Sequence, residues 1–69
     1  MKISARNQLA GRVVSVTMGA TTAHVKVDIG GGNMVTAAIT NESATELGLA
    51  AGCEVTAIVK SSDVMIAID

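Results

Sequence analysis

Two short polar segments near opposite ends of the chain hold the densest hydrogen-bonding chemistry in the sequence. Residues 4–8 (SARNQ) contain Arg6, and residues 60–62 (KSS) begin with Lys60, so each segment sets one cation beside hydroxyl, amide or main-chain donors. A tetrahedral anion is held by charge-assisted hydrogen bonds that reach it from several directions. Either cation alone is typical of a solvated surface, but the repeated combination predicts a site for a small oxyanion.

The remaining polar residues give little support for catalysis or for binding of metal cations. Cys53 and His24 are the only residues of their types, and each falls in a predicted strand without a motif that would supply a nucleophile and its base. One Cys and one His also fall short of a closed structural zinc site. We therefore predict that the protein is not an enzyme, needs no cofactor and offers no direct ligands to a metal cation.

The charge and the aromatic content argue against nucleic acid as a partner. The net charge is -1, only five residues are Lys or Arg, and no Phe, Tyr or Trp is present to stack on bases. No apolar run approaches the about 20 residues that a membrane-spanning helix needs, and the first residues lack the apolar core of a signal peptide. These features predict a soluble, cytoplasmic protein with no membrane partner.

The length and the hydrophobic content predict a single domain, residues 1–69, that forms oligomers. A domain of 69 residues buries only about 60% of its unfolded surface, and a single cysteine cannot form an intramolecular disulfide. Hydrophobic residues nevertheless make up 49% of the chain, with no aromatic side chain to build a compact core. Much of this aliphatic surface is therefore expected to meet other subunits.

Alternating apolar and polar residues predict a chain made mostly of β-strands. The clearest pattern is in residues 22–29, where Ala23, Val25 and Val27 alternate with polar residues. Glycines at positions 30–32 precede a strand pattern and lack the Gly-Lys-Ser/Thr ending of a phosphate loop, so they predict a hairpin turn. The same reasoning places the five predicted strands at residues 9–18, 22–29, 33–40, 53–60 and 64–68.

One short helix is predicted at residues 41–47, between the third and fourth strands. Asn41 or Ser43 is the expected N-cap, Ser43 and Glu46 have the spacing of a capping box, and Gly48 is placed as the stop. Five strands in this order with one helix predict an all-β fold, a five-stranded OB-like barrel with one short helix between strands 3 and 4.

The residues of both polar segments resemble a known family. SARNQL at residues 4–9, followed by Gly11 and Val13, is similar to the opening signature of the molbindins, the small molybdate-binding proteins. The segments IGGGN (29–33), ELGL (46–49) and AIVKSSDVMI (57–66) resemble the same family in order and spacing. This resemblance implies a hexamer, a trimer of dimers, that holds molybdate or tungstate between subunits for storage, buffering or homeostasis.

The resemblance also implies which residues contact the oxyanion. The matching positions are Ser4, Arg6, Lys60 and Ser61, with Thr40 beside the helix, while Ala5 and Asn7 would contribute main-chain donors. Arg6 and Lys60 are expected to come from different subunits. A site with donors and no carboxylate would admit a dianion and repel metal cations.

An alternative from a different class remains open: a structural or regulatory barrel that binds another protein through its aliphatic surface, with no anion ligand. The two polar segments would then simply be solvated. Equilibrium dialysis against molybdate distinguishes this alternative from an oxyanion-binding protein.

Overall fold

The fold is a curled, four-stranded antiparallel sheet with one short helix at its edge. The computed structural model describes all 69 residues. The sheet order is β3-β2-β1-β4, so β1 and β2 are central and β3 and β4 form the two edges. The elements are β1 Asn7–Met18, β2 Thr22–Gly30, β3 Asn33–Thr40, α1 Asn41–Glu46 and β4 Glu54–Val59, followed by a 3₁₀ turn, Ser61–Asp63.

The core is small and is built from the inward face of the central strands. Val13, Val25 and Val27 form its centre, with Ala23 from β2 and Ala44 from α1 also buried. The alternation predicted for β2 is confirmed, because its even-numbered residues are all exposed while residues 23, 25 and 27 are buried. Only five of the 69 residues are buried, so this core alone is a modest source of stability.

The curl of the sheet has a local cause in β1. Val13 pairs with Val27 but Ser15 pairs with Lys26, so β1 carries one extra residue, a β-bulge that bends and twists the strand. At Gly11 a Cβ would lie 2.6 Å from the carbonyl oxygen of Asp28 and 2.7 Å from Cγ1 of Val27. Only glycine permits this close approach of β1 to β2.

Most of the predicted strand limits agree with the structure to within two residues. The third strand is confirmed as predicted, at Asn33–Thr40. β1 begins two residues earlier than predicted, because Asn7 and Gln8 pair with Val59 and Ile58 of β4. β4 is shorter than predicted, since Cys53 and Lys60 lie outside its ladder.

The predicted fifth strand, residues 64–68, is wrong for the single chain. A strand requires a hydrogen-bonded neighbour, and no other strand of this chain pairs with these residues. Met65, Ile66 and Ile68 are 92%, 86% and 93% exposed. The single chain therefore forms an open four-stranded half-barrel rather than the five-stranded OB-like barrel that the sequence predicts.

The helix α1 is present, but its cap differs from the expected residues. Thr40 is the N-cap: its Oγ1 accepts a hydrogen bond from Ser43 N at 3.0 Å and donates to Ser43 Oγ at 2.8 Å. Neither Asn41 nor Ser43 therefore caps the helix. Gly48 has φ +64°, as the predicted stop requires. None of the helices is both long and apolar enough to cross a bilayer.

The cap gives a prediction about stability. We expect Thr40→Ala to lower the free energy of unfolding by about 1 kcal/mol, because Ser43 N loses its acceptor. For a domain of this size, that loss lowers the Tm by roughly 4–8 °C. Thr40→Ser keeps the hydroxyl and is the matched control. Thermal unfolding followed by circular dichroism measures both variants, and equal Tm values for the two would contradict the assignment of the cap.

Candidate oxyanion site

The pairing of β1 with β4 brings the two polar segments together at one end of the sheet. Asn7, the first residue of β1, pairs with Val59, the last residue of β4. The strands are antiparallel, so one further step of the same register places Arg6 opposite Lys60, just beyond the last paired residues. The two cations were expected to come from different subunits, but this register sets their segments side by side in one chain. No second subunit is needed to bring Arg6 and Lys60 to the same end of the sheet.

The side chain of Asn7 joins the two segments directly. Its Nδ2 donates to the carbonyl oxygen of Val59 at 3.2 Å and lies 3.4 Å from Oγ of Ser61. Asn7 is half-buried, whereas Ser61 is exposed. The family resemblance implies only a main-chain donor from Asn7. This side-chain contact was missed because the two residues are 54 positions apart, and no local pattern indicates that they meet.

Hydrogen bonds to main-chain carbonyl oxygens hold both segments in shape. The carbonyl oxygen of Lys60 accepts from Asp63 N at 2.9 Å, which closes the 3₁₀ turn. In the opening segment Gln8 Nε2 donates to the carbonyl oxygen of Ala5 at 2.8 Å. These carbonyl oxygens are acceptors that would repel an anion, and both are engaged within the chain. The side chains of Ser4, Arg6, Lys60 and Ser61 remain exposed.

No carboxylate neutralises the two cations of the site. The chain has one salt bridge, between Arg12 Nη2 and Glu54 Oε1 at 3.3 Å, and it lies outside the two segments. Asp63 is close in sequence, yet its carboxylate oxygens are not within 4.0 Å of the side-chain nitrogens of Arg6 or Lys60. Arg6 and Lys60 therefore leave positive charge that an anion can meet at this end of the sheet.

Thr40 is not part of this cluster within one chain. It pairs with Thr22, next to Ala23, which pairs with Met18 at the far end of β1 from Asn7. A strand rises about 3.3 Å per residue, so the twelve residues of β1 keep its two ends too far apart for one small anion to contact both. The hydroxyl of Thr40 is also engaged with Ser43. An anion that contacts Thr40 together with Arg6 would need Thr40 from another copy of the chain.

An open hollow on the surface of the sheet does not coincide with the predicted site. This open hollow of about 830 Å³ includes three charged residues, Arg12, Asp28 and Glu54, and none of the predicted oxyanion contacts. Its only cation, Arg12, is already paired with Glu54, and the two carboxylates would repel an anion. The geometry therefore favours the two polar segments over the hollow as an oxyanion site.

The chain is a small β-sheet module with uncompensated cations and exposed hydroxyls at one end, an arrangement that suits an anion. The TOBE domain model matches residues 3–66. This chain belongs to the TOBE domain family, and the resemblance to the molbindins is confirmed.

The chain is similar in sequence or structure to three known proteins. Molybdenum-pterin-binding protein 2 of Clostridium pasteurianum is 54% identical over 66 residues, which cover 96% of this chain and 97% of that protein. The structure of MopII from Clostridium pasteurianum, in an apo form, has a TM-score of 0.90 and 52% identity, covering 97% of this chain and 100% of that chain. The cytoplasmic molybdate-binding protein ModG, with molybdate bound, has a TM-score of 0.83 and 44% identity, covering 96% of this chain and 53% of that chain.

Proposed function

We propose that this protein binds molybdate, and that residues 1–69 act as one oxyanion-binding domain. The observation that carries the proposal is the Asn7–Val59 pairing, which sets the Arg6 and Lys60 segments side by side with no carboxylate partner for either cation. The relatives named as molybdenum-pterin-binding and molybdate-binding proteins support the choice of ligand. The protein binds this ligand without transforming it, and it needs no cofactor.

The chemistry of the residues fits a bare dianion. Molybdate at neutral pH presents oxygen acceptors only, while Arg6 offers a planar fork of donors and Lys60 a compact charge. The serines add directional hydroxyl donors. Hydrogen phosphate carries a proton, and no carboxylate lies among these groups to accept it, which favours molybdate over phosphate. The proposed contacts are Ser4, Ala5, Arg6, Asn7, Thr40, Lys60 and Ser61.

The sites are proposed to lie between subunits of a hexamer arranged as a trimer of dimers. Thr40 supports this arrangement, because it can join Arg6 and Lys60 only from another copy. The apolar surface supports it too: Leu47, Met65 and Ile68 are among eleven large hydrophobic residues that the single chain leaves exposed. Assembly would bury much of this surface and add the stability that five buried residues supply poorly.

The cellular role that fits these properties is storage, buffering or homeostasis of molybdate, and of tungstate, in the cytoplasm. The ModG relative, which is described as cytoplasmic, supports the location. The low content of Lys and Arg and the lack of aromatic residues support a role without nucleic acid, and nothing in the composition favours a membrane partner. The remaining alternative is a protein-interaction barrel without an anion ligand.

Molybdate is expected to be retained in equilibrium dialysis and to raise the Tm. A ligand at about 100 times its Kd that binds only the native protein adds about 2.7 kcal/mol of stability. For a domain of this size this corresponds to a rise in the Tm of roughly 10–20 °C. Sodium chloride at equal ionic strength is the control. Metal content no higher than in the buffer, together with an unchanged Tm, would contradict molybdate binding and support the protein-interaction alternative.

A further inference from the structure

The hydrogen-bond partners of Asn7 determine which way its side-chain amide faces. Its Nδ2 lies 3.2 Å from the carbonyl oxygen of Val59 and 3.4 Å from Oγ of Ser61. A main-chain carbonyl oxygen only accepts hydrogen bonds, so the NH₂ group must face Val59 and the amide oxygen must face away. Because this NH₂ group has two protons, it can donate to Val59 and to Ser61 at the same time.

This orientation determines whether the hydroxyl of Ser61 accepts or donates a hydrogen bond at its contact with Asn7. The hydroxyl has one proton and two lone pairs, and the amide nitrogen of Asn7 is a donor only. Ser61 Oγ therefore accepts at this contact, and its single proton is left for a different partner. Its side chain makes no other hydrogen bond in the chain and is exposed, so that partner comes from outside.

We propose that Asn7 is a positioning residue that acts through Ser61 and commits the Ser61 hydroxyl to donate toward the oxyanion. This inference rests on the proposed binding of molybdate. It adds a role that the main-chain donor first assigned to Asn7 does not include. With Asn7 in place Ser61 is a donor that suits molybdate. Without it, both lone pairs of Ser61 instead of one are free to accept the proton of hydrogen phosphate, so Asn7 also shifts selection toward molybdate.

A double-mutant cycle with two ligands tests this role. Calorimetric titrations with sodium molybdate, and separately with inorganic phosphate, are carried out on the parent, Asn7→Ala, Ser61→Ala and the double variant. We expect Asn7→Ala to weaken molybdate binding about tenfold and phosphate binding less. The double variant should match Ser61→Ala within about twofold, because the side chain of Asn7 is proposed to act on the anion through Ser61, and its main-chain donor is present in every variant. Losses that multiply independently would overturn the inference.

Two further variants separate positioning from a purely structural role. Asn33→Ala removes a comparable amide-to-carbonyl contact, 3.3 Å to Gly30, in the β2–β3 turn and should bind molybdate like the parent. Asn7→Asp keeps the shape but replaces the NH₂ donor with an acceptor that attracts the Ser61 proton. This acceptor and its negative charge should together weaken molybdate binding more than Asn7→Ala does, and the variant serves where Asn7→Ala fails to fold. Parent-like binding by Asn7→Asp would overturn the inference.

An NMR measurement on the ligand-free protein distinguishes failure of this inference from failure of the proposed function. Ser61→Ala should shift the side-chain amide resonances of Asn7 and leave those of Asn33 unchanged. Shifted resonances in a parent that does not bind molybdate would overturn the proposed function, and the positioning role with it. Unshifted resonances in a parent that does bind molybdate would overturn the positioning role alone.

Discussion

Lys60→Ala and Arg6→Ala are each expected to weaken molybdate binding by roughly thirtyfold to a few thousandfold. Removing one partner of a desolvated, hydrogen-bonded charge pair costs about 2 to 5 kcal/mol, and each 1.4 kcal/mol changes an affinity about tenfold. The chain supplies no carboxylate to either cation, so molybdate is the partner that each one loses. Calorimetric titration measures the loss, and light scattering checks that the oligomer is intact.

Charge-matched controls separate contact from long-range attraction. Lys26→Ala and Arg12→Ala remove the same charges from exposed positions outside the two polar segments, and they should bind molybdate nearly as the parent does. The Arg12 salt bridge is exposed, with side chains 65% and 83% accessible, so its loss should change stability little. If these controls lose as much affinity as Lys60→Ala and Arg6→Ala, the two segments are not the site.

Arg6→Lys tests the geometry of the contact at constant charge. Arginine presents a rigid, planar fork that binds two oxygens at once, whereas lysine presents a single point charge. A site that depends on the fork should lose affinity on this exchange, although the net charge is unchanged. Parent-like binding of molybdate by all three of Arg6→Lys, Arg6→Ala and Lys60→Ala, with the oligomer intact, would refute the assignment of these residues.

The parts of the fold that could be predicted are those in which local pattern and tertiary packing agree. β2 and β3 were predicted well because one face of each is apolar and the glycines between them favour a hairpin. The start of β1 was missed because Asn7 and Gln8 have low strand propensity, and their pairing with β4 decides their conformation. The helix cap was missed by one residue, since Thr40 also completes β3 and was counted only as strand.

The site was predictable in its residue types and only partly in its arrangement. A cation beside hydroxyls indicates affinity for an oxyanion wherever the two segments lie, so Arg6 and Lys60 could be selected from sequence. The register that places them at one end of the sheet depends on residues about 50 positions apart, which no local pattern encodes. The separation of Thr40 from this end follows from the order of the strands in the sheet, which no local sequence pattern encodes either.

The tail formed by residues 64–68 has the alternation of a strand and no strand partner in its own chain. Val64, Ile66 and Ile68 alternate with Met65 and Ala67, and all five residues are exposed. The outer edges of β3 and β4 are unpaired, and a groove beside β4 is lined by four apolar residues, Leu47, Leu49, Cys53 and Val55, together with Glu54 and Thr56. A tail from one copy that pairs with a sheet edge of another would satisfy its main chain and cover apolar side chains of both.

Ile66→Asp is therefore expected to dissociate the proposed oligomer and to weaken molybdate binding with it. Exposing an isoleucine that the assembly buries costs about 1.5–3 kcal/mol, and burying an unpaired carboxylate instead costs more. If two copies exchange tails, the loss counts twice, so the dissociation constant of the dimer should rise roughly thousandfold or more.

Ala67→Asp adds the same charge on the opposite face of the tail and should leave the mass unchanged. Light scattering at low micromolar concentration measures the mass, and a parent-like mass for Ile66→Asp would exclude the tail as an interface. Molybdate binding should fall together with the mass, because Thr40, a proposed contact, can reach the Arg6 and Lys60 end of the sheet only from another copy.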